Sequence, residues 1–202
     1  MIDVIFGIAI LIMSVVVHEV AHAYTAVLLG DPTPRLQGRL TLNPLKHLDF
    51  IGSLLVPLLT YMAGAAFGWA KPVLINPYNL KYGKWGELYV ALAGPASNIL
   101  IALFFAGIIR IIAHFEFLAL IPFIQITALI VLINIALAVF NLVPVPPLDG
   151  SKILFVLIPA RYMHIRETLE RYSLIFAIII LFGLWRFIEP IIPILYKILL
   201  GV

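Results

Sequence analysis

His18-Glu19-Val20-Ala21-His22 places two histidines and a carboxylate within five residues. On a helix, residues four apart lie about 40° apart around the axis and one turn above each other, so His18 and His22 can reach a single metal ion. Glu19 stands beside them, placed to hold a metal-bound water, which makes two ligands and a general base for hydrolysis. The plainer alternative is a polar cluster packed between helices. Against it, charged groups inside a membrane cost about 2.5 kcal/mol or more each, and three ionisable side chains interrupt one apolar helix here. The chain has no cysteine, so any metal must take nitrogen and oxygen ligands. A catalytic zinc commonly has three protein ligands. Asp3, Asp31, Asp49, Glu87 and Glu116 fall at the ends of apolar runs, whereas Asp149 follows three prolines at the broken end of one. Irregular backbone there is tolerated only where it is buried in protein or lines a wet cavity. Asp149 is the preferred third ligand, with a helix cap or turn pair at Asp149-Gly150 as the alternative.

The elements that must carry these groups are apolar. Of 202 residues, 63% are hydrophobic and 11% charged, against about 45–50% and 25% in soluble domains. The length holds at most about six spans, and the formal net charge of +3 comes from basic residues scattered between apolar runs, which does not suggest nucleic acid. No basic region or cleavage site marks the first helix for removal. It runs from Ile2 through Leu29, where Gly30-Asp31-Pro32 stops it. Phe50 to Phe67 is short for a crossing and is expected to re-enter. Gly68 to Tyr78, with β-branched residues between prolines, reads as a short edge strand. Strong spans cover Leu88–Ile112 and Leu118–Leu142, and three prolines after Asn141 forbid a continuous helix. A short apolar segment (Ser151–Pro159), a charged connection (Arg161–Arg171) and a last apolar stretch (Ser173–Leu200), broken at Glu189-Pro190 and Pro193, complete the chain. The expectation is one domain, 1–202: an all-α polytopic membrane protein of five to six transmembrane or re-entrant helices with a short membrane-associated β-strand or hairpin.

The H-E-x-x-H motif together with Asn141-x-x-Pro144-x-x-x-x-Asp149-Gly150 resembles the site-2 protease family of intramembrane zinc metalloproteases, in its form lacking a PDZ domain. Gly94-Pro95-Ala96-Ser97-Asn98 and Gly68-Trp69-Ala70-Lys71-Pro72-Val73 extend the resemblance over almost the whole chain. It implies one zinc per chain on His18, His22 and Asp149, Glu19 activating the water, and Asn141 handling substrate near the metal.

Shared coordination also constrains topology, because His22 and Asp149 must lie at one depth. A re-entrant Phe50–Phe67 satisfies this and puts Arg35, Arg39, Lys46, Lys71, Lys81, Lys84, Lys152, Arg161, Arg166 and Arg171 on one side, leaving only Arg110, Arg186 and Lys197. Such a bias marks the cytoplasmic face. The site is therefore expected toward the cytoplasm of a cell-membrane protein. A membrane helix must be unwound before its peptide bonds can be cut, and unwound backbone needs partners. The Lys71–Asn76 edge, with Pro72, Val73, Leu74 and Ile75, could supply them by strand addition. The alternative is an ordinary surface hairpin. Asn98 and Asn141 could polarise the scissile carbonyl or serve as interhelical hydrogen-bond glue. His47, His114 and His164 read as loop, interface or charged-face residues, and Trp69, Trp85 and Trp185 as interface anchors. The function expected is cleavage of transmembrane segments of other membrane proteins. The rival classes are a metal-ion or proton-coupled transporter, for which Glu19 has no evident use and no inverted repeat is visible, and a non-cleaving scaffold that binds membrane segments.

Overall fold

The structure is a computed structural model, and it describes residues 2–47, 72–115, 121–159, 162–179, 183 and 185–201. The helices are α1 (Ile2–Leu28), α2 (Thr33–Leu36), α3 (Lys84–His114), α4 (Ile121–Asn141), α5 (Ser151–Leu157), α6 (Met163–Arg171), α7 (Ser173–Ile179), α8 (Trp185–Ile188) and α9 (Ile191–Leu200). Three stretches among the described residues are long and apolar enough to cross a membrane: Val4–Leu28, Lys84–His114 and Phe123–Asn141. They carry exposed apolar side chains outward, among them Val4, Ile5 and Ile8 on α1 and Leu100, Leu103, Phe104 and Ile111 on α3. In water such a surface would aggregate; facing lipid it needs no cover.

Small residues let the long helices approach closely. Ala102 and Ala106 of α3 are buried with Ile109 against Val131 and Ile135 of α4, and Ile192 of α9 closes the same cluster. Within a bilayer, packing at small residues and interhelical hydrogen bonds take over from the hydrophobic effect as the source of helix association. At the far end of this cluster Arg110 donates to the Ile198 carbonyl at 2.6 Å, satisfying one of the acceptors left open where α9 ends. Among the described residues of the last apolar stretch lie α7, α8 and α9, with Pro190 as the N-cap of α9 rather than inside a span.

Helix α1 stops where expected. Gly30 adopts φ +107°, a left-handed conformation that favours glycine, and the Asp31 N–H returns to the Ala26 carbonyl at 2.9 Å. Ala26, Leu80 and Val90 then bury together, with Ile75 packed on them, fixing the 72–80 segment against the end of α1. No strand occurs among the described residues. The expected edge strand is represented there by 72–76, which makes no ladder; Lys71, the rest of Gly68–Tyr78 before it, and the re-entrant Phe50–Phe67 lie outside the described residues.

Candidate metal centre

Helices α1 and α3 run antiparallel, which is read from three contacts in register: His22 Nδ1 with the Val90 carbonyl at 2.7 Å, His18 Nδ1 with Asn98 Oδ1 at 2.6 Å, and Asn98 Nδ2 with the Ser14 carbonyl at 3.4 Å. Both imidazoles are therefore tied down through Nδ1, and their Nε2 atoms point to the same place. Asp149 Oδ2 lies there, 3.0 Å from His18 Nε2 and 3.3 Å from His22 Nε2. Ligands at about 2.0–2.1 Å from a tetrahedral ion stand roughly 3.3 Å from one another, so the spacing suits a zinc between them. His18, His22 and Asp149 are the group among the described residues whose ligand atoms cluster in this way.

Glycine at 94 is what lets α3 close on the two rings. A Cβ built on Gly94 would fall well under 3.0 Å from Nε2 of both histidines, occupying the space an ion would use. The Gly-Pro-x-x-Asn motif thus contributes two separate things, room from Gly94 and a fixed partner for His18 from Asn98.

Asp149 is delivered by the proline-rich turn. After α4 ends, the Gly150 N–H returns to the Asn141 carbonyl at 2.7 Å, and a Cβ on Gly150 would collide with the Leu142 and Val143 carbonyls. The turn is tight because glycine follows the aspartate. Helix α5 has Gly150 at its N-cap with no side-chain cap, so the Asp149 carboxylate is spent on the histidines and not on the helix end.

Glu19 projects toward the 72–76 segment, where its Oε2 accepts the Val73 N–H at 3.0 Å. Three residues on, the Asn76 N–H donates to Asp31 Oδ2 at 2.7 Å. Asp31 also accepts from the Thr33 N–H at 3.1 Å, Thr33 Oγ1 at 2.6 Å and Asn79 Nδ2 at 3.0 Å. Burial pushes the Asp31 carboxyl upward, and the bonds from Thr33, Asn79 and Asn76 together outweigh it, holding the group below its ordinary 3.8. Leu74 is exposed, and among the described residues neither Leu74 nor Ile75 has a backbone hydrogen-bond partner.

The remaining expected site residues have other partners. Asn98 spends both ends of its amide inside the protein, on His18, Ser14 and Asn134. Asn141 Nδ2 donates to the Leu137 carbonyl of its own helix at 3.0 Å. His47 is 1% exposed, more buried than a loop histidine was expected to be, with Nε2 donating to the Thr41 carbonyl. His114 and His164 are exposed. Asn134 and Ser14 were not singled out in the sequence, and Asp31 was read only as a carboxylate at a span end and part of the stop of the first helix. A lone Asn inside an apolar span was the available signal for Asn134, since buried amides in membranes find partners.

A family model for peptidase family M50 matches residues 105–184, which include Asp149 but not the paired histidines. The Bacillus subtilis protein named "Putative zinc metalloprotease YwhC" is 38% identical over 170 residues, covering 82% of this chain and 74% of that one. "Putative zinc metalloprotease Rip2" of Mycolicibacterium smegmatis is 35% identical over 145 residues, covering 69% of this chain and 52% of its own length. "Zinc metalloprotease MJ0392" of Methanocaldococcus jannaschii is 27% identical over 159 residues, 79% of this chain and 36% of its own. No solved structure gives a significant match. The chain belongs to peptidase family M50, the site-2 proteases, and is a membrane zinc metallopeptidase.

Proposed function

We propose that this protein is an intramembrane zinc endopeptidase that cuts transmembrane segments of other membrane proteins, with His18, His22 and Asp149 as ligands and Glu19 as general base. The observation that carries the reading is the convergence of the two Nε2 atoms and Asp149 Oδ2, with Glu19 beside them on the same helix. Bound there, zinc supplies Lewis acidity toward a water and toward the scissile carbonyl. Glu19 takes the proton that the water gives up as its oxygen bonds the carbonyl carbon, and passes a proton to the amine nitrogen as the C–N bond breaks. His18 and His22 keep their places because their Nδ1–H groups are held by Asn98 and Val90.

Substrate is held, in this reading, by strand addition along Pro72, Val73, Leu74 and Ile75. What supports it is that the Leu74 and Ile75 backbone has no hydrogen-bond partner among the described residues, beside a proposed general base already bonded to Val73. Asn141, at the end of α4, is the proposed donor to the scissile carbonyl; its Nδ2 gives one N–H to the Leu137 carbonyl and has a second to offer. Asn98 is assigned to His18 instead.

The site is proposed to open toward the cytoplasm. The Lys84 end of α3 lies at the metal's end of the bundle, where Lys84 Nζ donates to the Val156 carbonyl at 2.8 Å and Arg166 pairs with Glu87 at 2.8 Å. The connections rich in basic residues therefore gather at one end, while Arg110 sits at the other with Ile198. A re-entrant Phe50–Phe67 and the C-terminal helices would bring the total to five or six membrane-inserted segments.

The test is direct. Purified protein and a model single-span substrate in detergent, with and without a zinc chelator, should give cleavage that the chelator stops and added zinc restores. Cleavage unaffected by zinc removal would overturn the reading, and zinc transport into vesicles without cleavage would favour the transporter.

A further inference from the structure

Behind His18 runs a buried chain of amides on three helices. His18 Nδ1 meets Asn98 Oδ1 at 2.6 Å, Asn98 Nδ2 meets Asn134 Oδ1 at 2.8 Å, and Asn134 Nδ2 meets both Ser14 Oγ and the Ile130 carbonyl at 2.9 Å. Asn98 and Asn134 are 0% exposed and Ser14 and His18 are nearly so. The chain has a direction, because a backbone carbonyl only accepts. The Ile130 carbonyl demands the NH2 of Asn134, which turns Asn134 Oδ1 toward Asn98. That oxygen and the Ser14 carbonyl demand the NH2 of Asn98, which turns Asn98 Oδ1 toward His18. Facing the Asn98 oxygen, His18 keeps a proton on Nδ1, which leaves Nε2, beside Asp149 Oδ2, as the nitrogen that can take an ion.

His22 reaches the same state by a shorter route, since its Nδ1 faces the Val90 carbonyl directly. His18 depends on an amide that could face either way. A flipped Asn98 would offer its NH2 to Nδ1, drive the proton to Nε2 and leave His18 unable to bind an ion.

We infer that Asn134 is a positioning residue for the metal centre: anchored on Ile130 and Ser14, it locks the Asn98 amide in the one orientation that makes His18 a ligand. The inference rests on the ligand reading above and extends it to a helix that contributes no ligand from its own helical turns. An outer hydrogen-bond partner of a ligating histidine is commonly worth 10–100-fold in metal affinity.

The test measures zinc affinity by chelator competition on detergent-purified protein, with the absorption spectrum of the cobalt form as a second readout. Asn134→Leu should weaken zinc by about 10–100-fold, while Thr127→Val, a buried polar substitution on the same helix whose hydroxyl donates to the Phe123 carbonyl, should leave it unchanged. Rescue separates positioning from packing. A carboxylate at 98 accepts in either orientation, so adding Asn98→Asp to Asn134→Leu should restore affinity to within a few-fold of wild type. Should Asn134→Leu not fold, Ser14→Ala carries the test, with an expected several-fold loss from removing one anchor. Wild-type affinity in the folded variants, or a loss that Asn98→Asp does not reverse, overturns the inference. A parallel His18→Ala that keeps wild-type zinc would instead overturn the ligand reading itself.

Discussion

The Val73 N–H donates to Glu19 Oε2 at 3.0 Å, so one hydrogen bond joins the group proposed to move protons to the segment proposed to hold substrate. The carboxylate's position is thereby set from outside α1 as well as by the helix.

Glu19→Gln keeps an oxygen for Val73 but cannot take a proton from water. Cleavage should fall by at least about 100-fold while zinc content stays at one per chain, measured by elemental analysis beside a peptide-release assay. Appreciable turnover in this variant would remove Glu19 from the mechanism.

Asp149→Ala should lose tightly held zinc, since two histidines leave the ion under-coordinated. Zinc stoichiometry after gel filtration decides the matter: one zinc per chain in the variant means that another group is the third ligand.

Gly94→Ala places a methyl group where the two Nε2 atoms meet. The imidazoles are pinned through Nδ1 and cannot swing aside, so zinc binding should be lost with helix content by circular dichroism nearly unchanged. Retained zinc affinity would mean that α1 and α3 stand further apart than described.

Asp31→Asn replaces an acceptor of four hydrogen bonds with a group that has one oxygen left to offer, at a cost of about 1–3 kcal/mol. The 72–79 segment should exchange its amide hydrogens faster, read by mass spectrometry. The pH dependence follows from the lowered carboxyl value. Since the folded group titrates below 3.8, its contribution is complete above about pH 5 and is lost as pH falls through 3.8 and on through the folded value. Protection of this segment that stays constant down to pH 3 would contradict the assignment.

Reporters fused after Arg39, Lys81 and Arg166 should all report cytoplasm, and one fused near His114 the opposite side. A reporter at Lys81 on the outside would separate the 72–80 segment from the metal's end of the bundle and break the proposed orientation.

The paired histidines were legible because their spacing is itself a geometry: four residues on a helix bring two rings to one face. The prolines before Asp149 marked it as the carboxylate that could come beside the two rings, which is where it lies. The partner of His18, by contrast, lies 80 residues away, and nothing in the Gly94–Asn98 motif says whether its amide faces substrate or a ligand. Asn134 left only a single polar letter in an apolar run. The 72–76 segment forms no strand among the described residues for a local reason: Val73 and Ile75 between Pro72 and Pro77 have the composition of a strand, but the amides of Val73 and Asn76 are taken by the carboxylates Glu19 and Asp31. The break expected at Glu189-Pro190 is where α9 starts, because Pro190 suits a helix start and not a helix interior.

His18 and Asp149 are 131 residues apart in the chain, so an ion between them is also a cross-link, closing a loop that holds most of the protein. Closing a loop of that length restricts the unfolded chain far more than the folded one, and anything that binds only the folded form adds stability in proportion to the logarithm of its concentration. The metal is then a clasp as much as a reagent. Metal-depleted protein should melt at a lower temperature, and a chain nicked by protease between α2 and α3 should travel as one body on gel filtration while zinc is present.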